Sequence, residues 1–167
     1  MNIRPARSVD APAIAALLAA RVPDTCYADR DEVDVPYARK MFAYAAQRHG
    51  NTNEGGMFLM VAEDEQGVAA FCMGSLGRVY GVGKKLVACD NYLLGRADCP
   101  AIVLRNLFEL YVGWASGNPK VIEIGASWSD ALPGSDKWTP IFKRMGFEPC
   151  AQSFRRLNVA QKQAEAA

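Results

Sequence analysis

The sequence predicts a mixed α/β (α+β) fold, with a central, mostly antiparallel mixed sheet flanked by helices on both faces. Three observations predict it. Of the 167 residues half are apolar and 22% are charged, which gives one full core and is too little chain for two ordinary domains. Some segments carry apolar residues at helical spacing, whereas others are short runs of apolar, β-compatible residues. The two kinds follow one another as strand, two helices, three strands, helix, strand, helix, strand, an alternation that puts helices on both sides of a mixed sheet.

Ile3 to Ala6 form a short first strand. Asp10 is a good N-cap, able to accept from the free amides of a helix running from Ala11 to Arg21 with Ile14, Leu17 and Leu18 on its buried face. Asp34 and Pro36 open a second helix, in which Tyr37, Met41, Tyr44 and Ala45 recur at helical spacing until Gly50. After a loop from His49 to Gly56, strands Met57 to Glu63 and Val68 to Leu76 flank Asp64-Glu65-Gln66-Gly67, whose residues suit a hairpin turn. The glycine-rich stretch Gly77 to Lys85 is a hairpin or bulge. It is no phosphate loop, since Gly83-Lys84-Lys85 lacks the Ser/Thr and Arg78 stands where the first glycine would be.

A strand from Leu86 to Leu94 follows. Pro100 is preorganised for the first turn of a helix whose apolar stripe is Val103, Leu107, Leu110, Tyr111 and Trp114, closed by Gly117. Val121 to Trp128 form another strand, and Pro133-Gly134 turns the loop from Asp130 to Asp136. A short helix then runs to Met145 and ends at Gly146, which suits a left-handed C-cap. Phe147 to Leu157 make a final strand or bent pair. One domain is therefore expected over residues 1–157, with 158–167 as a polar C-terminal tail.

Composition excludes several classes. Lys plus Arg number 19 against 18 Asp plus Glu, so the basic footprint of a nucleic-acid binder is missing. The apolar run Ala11 to Ala20 is about half of a membrane span. As a secretory signal it is contradicted by Asp10 at its mouth and by Arg21-Val22-Pro23-Asp24 in place of a cleavage site. Cys26, Cys72, Cys89, Cys99 and Cys150 are odd in number and scattered, without a CxxC pair, which suggests neither disulfides nor a metal site and fits a reducing cytoplasm. His49, the single histidine, sits at a helix end where the dipole favours it, and no triad is built on it.

Two segments carry a family resemblance: Tyr92-Leu93-Leu94 with the loop Gly95-Arg96-Ala97-Asp98-Cys99 and the helix from Pro100, and then Ile141-Phe142-Lys143-Arg144-Met145-Gly146-Phe147. They occupy the places of the cofactor loop and of the helix ending in Gly-Phe, so the chain resembles the GCN5-related N-acetyltransferase (GNAT) family over residues 2–157. The resemblance implies an acyl-CoA-dependent N-acyltransferase. It would pass an acetyl group from acetyl-CoA directly to a small-molecule or peptide amine in a ternary complex, leaving CoA. The family pattern Gln/Arg-x-x-Gly-x-Gly/Ala falls on Arg96, Cys99 and Ala101, with Leu104 at the packing leucine. Leu93, Leu94, Arg96, Ala97, Asp98, Cys99 and Ala101 are the implied cofactor-binding residues, because free amides at a helix start favour the anionic pyrophosphate.

Three residues depart from that pattern. Cys99 replaces the central glycine, Pro100 removes an amide, and Asp98 adds a negative charge unless it turns away to cap the helix. Phe142 stands where many members have a tyrosine that protonates the leaving thiolate, which leaves Tyr92, Tyr111, Ser127 or a water for that task.

The resemblance places the general base on the strand ending at Leu94, and Asp90, with Tyr92, is the catalytic candidate; Glu123 and Asp130 are alternatives. Parity puts Asp90, Tyr92 and Leu94 on one side of that strand. A desolvated carboxylate there works as a base, or equally as a structural acceptor. The slot for the pantetheine arm lies between Leu93-Leu94 and Ala126 to Trp128. The acceptor loop, Pro23 to Asp34, carries Asp24, Asp29, Asp31, Glu32 and Asp34 against Arg30, which favours a cationic amine or is simply a solvated loop. Cys99 at a helix N-terminus is a candidate reactive thiol. The competing function is a GNAT-like binding or regulatory module without catalysis. Dimers are common in the family, so a homodimer is open.

Overall fold

A computed structural model describes residues 1–151 and 153–155. Its elements are β1 (Asn2–Pro5), α1 (Ala11–Arg21), α2 (Val35–Gln47), β2 (Met57–Asp64), β3 (Gly67–Arg78), β4 (Leu86–Gly95), α3 (Ala101–Ser116), β5 (Val121–Ile124) and α4 (Thr139–Arg144). The strands lie in the order β1-β2-β3-β4-β5. All pairs are antiparallel except β4 with β5, which is parallel. The expected mixed sheet with helices on both faces is therefore present.

Alternation along β3 builds a core on each side of the sheet. Phe71 and Met73 face α1 and α2 with Ile14 and Phe42, whereas Ala70 and Cys72 face α3 and α4 with Leu107, Phe108, Tyr111 and Phe142. A strand covered on both faces has to be apolar at successive positions, which is why β2 and β3 are near-continuous hydrophobic runs. Phe42 is fully buried and meets Phe71 edge-on at 5.3 Å.

Both long helices are rotated relative to the expected stripes. In α2 the buried residues are Ala38, Phe42 and Ala45, while Tyr37 and Tyr44 are exposed. Turning Phe42 inward buries a large ring that has no hydroxyl to satisfy, and it leaves the two phenols in water. In α3 Phe108 takes the buried place expected of Leu110, which is exposed.

Asp34 caps α2 as expected, accepting from the Tyr37 amide at 2.9 Å. Asp10 does not cap α1. Its carboxylate turns back to the Arg7 amide at 2.7 Å and to the Arg4 guanidinium at 2.7 and 3.0 Å, and Arg4 also reaches Glu63 at 2.7 Å. A two-pronged charged donor outcompetes neutral helix amides. Arg4 and the Arg7 amide hold the Asp10 carboxyl at about 2, against burial that pushes it up. Because the folded value is depressed, the stabilisation is complete above the ordinary aspartate value near 3.8 and is lost as pH falls toward 2. Asp10→Asn should therefore cost on the order of 1 to 2 kcal/mol at pH 7, reduced by the water that reaches the rim of the pair. Urea denaturation should show the gap to wild type closing by pH 2.

His49 lies beyond the end of α2, and its Nδ1 accepts the Leu59 amide at 3.0 Å. Burial pushes its pKa down, so it is a neutral acceptor tying the α2 exit to β2, and not the dipole-stabilised cation expected. Within the Gly77 to Lys85 stretch, Gly77 and Arg78 end β3 and residues 79–85 form the β3–β4 hairpin connection, with Tyr80 at a positive φ of 51°. Strand β5 stops at Ile124, short of the expected Trp128. After α4, Gly146 adopts φ 87° and Phe147 donates to the Phe142 carbonyl at 3.0 Å, which closes the helix as anticipated.

Residues 147–151 and 153–155 form no strand, contrary to expectation. Pro149 lacks a ladder donor, and Phe154 is exposed rather than packed on the sheet. The remainder of that expected strand, and the tail 158–167, lie outside the described residues. Among the described residues no helix is long and apolar enough to cross a membrane, and no cluster of metal-ligating side chains occurs.

Candidate functional site

The site is organised by an irregularity in β4. Met73 pairs with Tyr92 and Gly74 with Asp90, so Asn91 is an extra residue without a partner. One extra residue reverses the facing of everything beyond it. Leu86 and Ala88 face α3, and Asp90 continues on that side beside Tyr111 and Cys72. Tyr92 and Leu94 pack instead on the α1/α2 face, with Tyr92 at 6.0 Å from both Phe42 and Phe71, while Leu93 turns toward α3. Asp90 and Tyr92 are thus on opposite faces, and the parity expectation fails because it assumed an unbroken strand.

Beyond the bulge β4 and β5 part. Their last backbone bond runs from the Gly125 amide to the Ala88 carbonyl at 2.7 Å. The Asp90 carboxylate then spans the gap, accepting the Ser127 amide at 2.8 Å and the Ser127 hydroxyl at 3.1 Å. Burial pushes the Asp90 carboxyl above the usual carboxylate value, and the two Ser127 bonds oppose that rise. The buried Tyr111 hydroxyl donates to the Gly125 carbonyl at 3.0 Å and is held well above its ordinary pKa by burial and by the Asp90 charge.

A cavity of about 1000 Å³ opens at this point, between the α1–α2 connection, the end of β4, and the segment that follows β5. It brings together Asp90, Tyr92, Leu93, Leu94, Arg96, Ala97 and Cys99; Asp98 and Ala101 do not line it. Ser127 and Trp128 line the opposite wall, as expected of the slot, but Ala126 packs into the core. Tyr111, Glu123 and Asp130 are outside the lining. Phe142 reaches it from an aromatic cluster with Phe108 at 5.2 Å and Trp138 at 5.6 Å.

The loop between β4 and α3 mixes favourable and unfavourable features for an anion. Arg96 lies against both oxygens of Asp64, at 3.3 and 2.5 Å, and its Nε meets Asp98 at 3.2 Å. Asp98 therefore pairs with Arg96 instead of capping α3, whose N-cap is Pro100 with no side-chain cap bond. Among the described residues, the amides of Ala97, Asp98, Ala101 and Ile102 donate to no protein acceptor. Cys99 packs against Leu104 and Gly95, where a Cβ would stand 3.0 Å from the Cys99 Cβ. Burial pushes its thiol pKa up, the reverse of the activated thiol that helix position alone suggests.

Three contributors escaped sequence reading: the Asn91 bulge, the Asp90–Ser127 bridge, and Gly74. Only the last had a signal. A lone glycine inside an apolar strand marks a close approach, and here a Cβ on Gly74 would be 2.5 Å from the Tyr111 ring.

No family model matches the chain, and no curated protein matches it. Solved structures do. Glucosamine-6-phosphate N-acetyltransferase from Arabidopsis thaliana superposes with a TM-score of 0.65 at 9% identity, covering 93% of this chain and 97% of its own. Ribosomal-protein-alanine N-acetyltransferase from Brucella melitensis biovar Abortus 2308 gives 0.61 at 12% identity, covering 95% and 100%. The chain has the GNAT fold. A transcriptional regulator from Bacillus halodurans C-125 also matches, at 0.65 and 13% identity over 94% and 99%. At such identities the likeness establishes the GNAT fold and leaves activity to the site, because one scaffold serves many tasks.

Proposed function

We propose that the chain is an acyl-CoA-dependent N-acyltransferase that moves an acetyl group from acetyl-CoA to an amine. The observation that supports this best is the cavity on a GNAT fold, running from the desolvated Asp90 along Leu93 and Leu94 to the β4–α3 loop. Four unbonded amides at 97, 98, 101 and 102, at the start of a 16-residue helix, fit a pyrophosphate. Arg96, shared by two carboxylates, would orient the loop more than it would attract charge. Leu93, Leu94, Arg96, Ala97, Asp98, Cys99 and Ala101 would hold the cofactor, which supplies an activated acyl thioester.

Asp90 takes the acceptor's proton, its raised pKa matching it to that task. Amide formation joins the amine nitrogen to the acyl carbon and breaks the carbon–sulfur bond, leaving a thiol and releasing one proton. Of the candidates for protonating the departing sulfur, Tyr92 lines the cavity, whereas the Tyr111 hydroxyl is committed to Gly125 and the Ser127 hydroxyl to Asp90. All five cysteines are free, which suits a reducing cytoplasmic setting.

A binding or regulatory module is the second reading. It is favoured by the saturated Arg96 and by Phe142, which has no proton to give. Titration calorimetry with acetyl-CoA, and with CoA as control, separates the two. Saturable one-site binding is expected. Ala97→Trp or Ala101→Trp, both at exposed positions, should weaken it at least about tenfold, a loss of about 1.4 kcal/mol. No binding at millimolar ligand would favour the module.

A further inference from the structure

The β3–β4 connection takes no part in the cavity, yet it carries the most exposed aromatic ring among the described residues. Tyr80 is 97% exposed and Val82 83%, with Gly81 and Gly83 on either side of Val82. Tyr80 also holds a φ of 51°, a region disfavoured for a residue with a Cβ, and a ring so exposed gains no packing in return. Two apolar side chains therefore stand on a convex tip.

Three loops meet at this end of the sheet. Arg78 pairs with Glu54 at 2.6 Å, the Leu86 amide donates to the Lys120 carbonyl at 2.9 Å, and the buried Asn118 side chain donates to the Thr52 carbonyl at 2.8 Å. Residues 48–56, 78–86 and 117–120 carry Arg48, Arg78, Lys84, Lys85 and Lys120 against Glu54 alone, although the whole chain is only +1. Lys120 reaches the neutral Asn53 at 2.7 Å, and Lys84 and Lys85 pair with no carboxylate among the described residues. A cleft of about 350 Å³ lies between Arg78, Lys84 and Lys120. This basic pole is opposite the cavity: β4 runs from Leu86 here to Gly95 there, and α3 returns from Ala101 to Ser116 over roughly 24 Å.

We propose that this pole docks on an anionic phospholipid surface, with Tyr80 and Val82 in the headgroup layer and the cations of the three loops against lipid phosphates and carboxylates. Each lysine or arginine near such a surface adds attraction, and a tyrosine, apolar in body and polar at its tip, suits the interface. A protein partner would have to offer a preformed pocket for the tip, whereas fluid lipid moulds around it. A nucleic acid would find a single ring to stack on. The inference stands apart from acyl transfer; docking would hold the cavity about the length of α3 from the lipid.

The test is co-sedimentation of the full chain with vesicles of phosphatidylcholine alone and of phosphatidylcholine mixed with phosphatidylserine. Partition onto the mixed vesicles should be at least about tenfold stronger at low salt, and should fall as salt rises. Lys84→Glu with Lys85→Glu should weaken it at least about tenfold, and Tyr80→Ser with Val82→Ser about threefold, all at exposed positions. Arg39→Glu with Lys40→Glu makes the same charge change at exposed positions on α2 away from the three loops, and should alter it by no more than about twofold. Equal partition onto both vesicle types, equal losses from the two charge variants, or no loss from the Tyr80 and Val82 changes would overturn the proposal. Tighter binding to polyglutamate or polyuridylate than to the mixed vesicles would overturn it too, and would assign the pole to an acidic protein or to RNA.

Discussion

Replacing Asp90 with asparagine should lower kcat/KM for acetyl transfer at least about a hundredfold while leaving CoA affinity unchanged. Asparagine preserves the shape and can still accept the Ser127 amide that Asp90 accepts at 2.8 Å, so the bridge between β4 and β5 survives without a base. The same change should not destabilise the protein at neutral pH. Burial raises the Asp90 pKa above 3.8, so the folded state binds its proton more tightly than the unfolded chain does, and the ionised carboxylate is a cost above the folded value. Asp90 therefore has the opposite sign to Asp10: acidification relieves the one and undermines the other. Loss of rate without loss of stability is the signature of a functional group rather than a strut.

Ser127→Ala refines that test. It removes the hydroxyl bond at 3.1 Å and keeps the backbone bond, so the carboxylate loses one of the interactions that lower its pKa. The rate should fall only a few fold, and the acid limb of the pH–rate profile should move to higher pH. An Asp90→Asn enzyme that works at the wild-type rate would remove Asp90 from the chemistry and leave it as the pin across the splayed strands.

The largest effect on stability is expected at Gly74. Alanine there places its Cβ 2.5 Å from Tyr111 Cε2 and 3.2 Å from the Cys89 carbonyl, in a site with no exposed surface into which the ring could retreat. Tyr111 would have to shift and strain its bond to Gly125, the contact that ties α3 to the segment after β5. Gly74→Ala should cost about 2 to 3 kcal/mol in urea denaturation. Gly77→Ala is the control. A Cβ there meets nothing within 4 Å, so it should be neutral within about 0.5 kcal/mol. Equal behaviour of the two variants would mean that Tyr111 does not need the bare backbone under it.

Element order and type were legible where the signal is local. The hairpin turn before Gly67, the Asp34 cap, the left-handed Gly146 and the apolar runs of β2 and β3 each depend on a few neighbouring residues, and each is found in the structure. Helix faces were less legible. In α2 and α3 two overlapping stripes satisfy the same spacing, and packing chose the one that buries Phe42 and Phe108. Residues 147–151 and 153–155 misled because their composition is strand-like, whereas a strand also needs a neighbour to bond.

By itself, the sequence determined the sheet-and-helix layout, the place of the loop between β4 and α3, and the absence of a tyrosine at Phe142, since these follow from residue identity and local spacing. Tertiary structure alone decided what the key groups do. Asp90 and Tyr92 face apart because pairing with β3 leaves Asn91 over, and pairing registers are set by a partner strand and not by the strand itself. Arg96 is neutralised by Asp64, 32 residues away, and Asp10 is captured by Arg4 instead of capping its helix. Such choices between competing partners are settled by distance and burial, which exist only once the chain has folded.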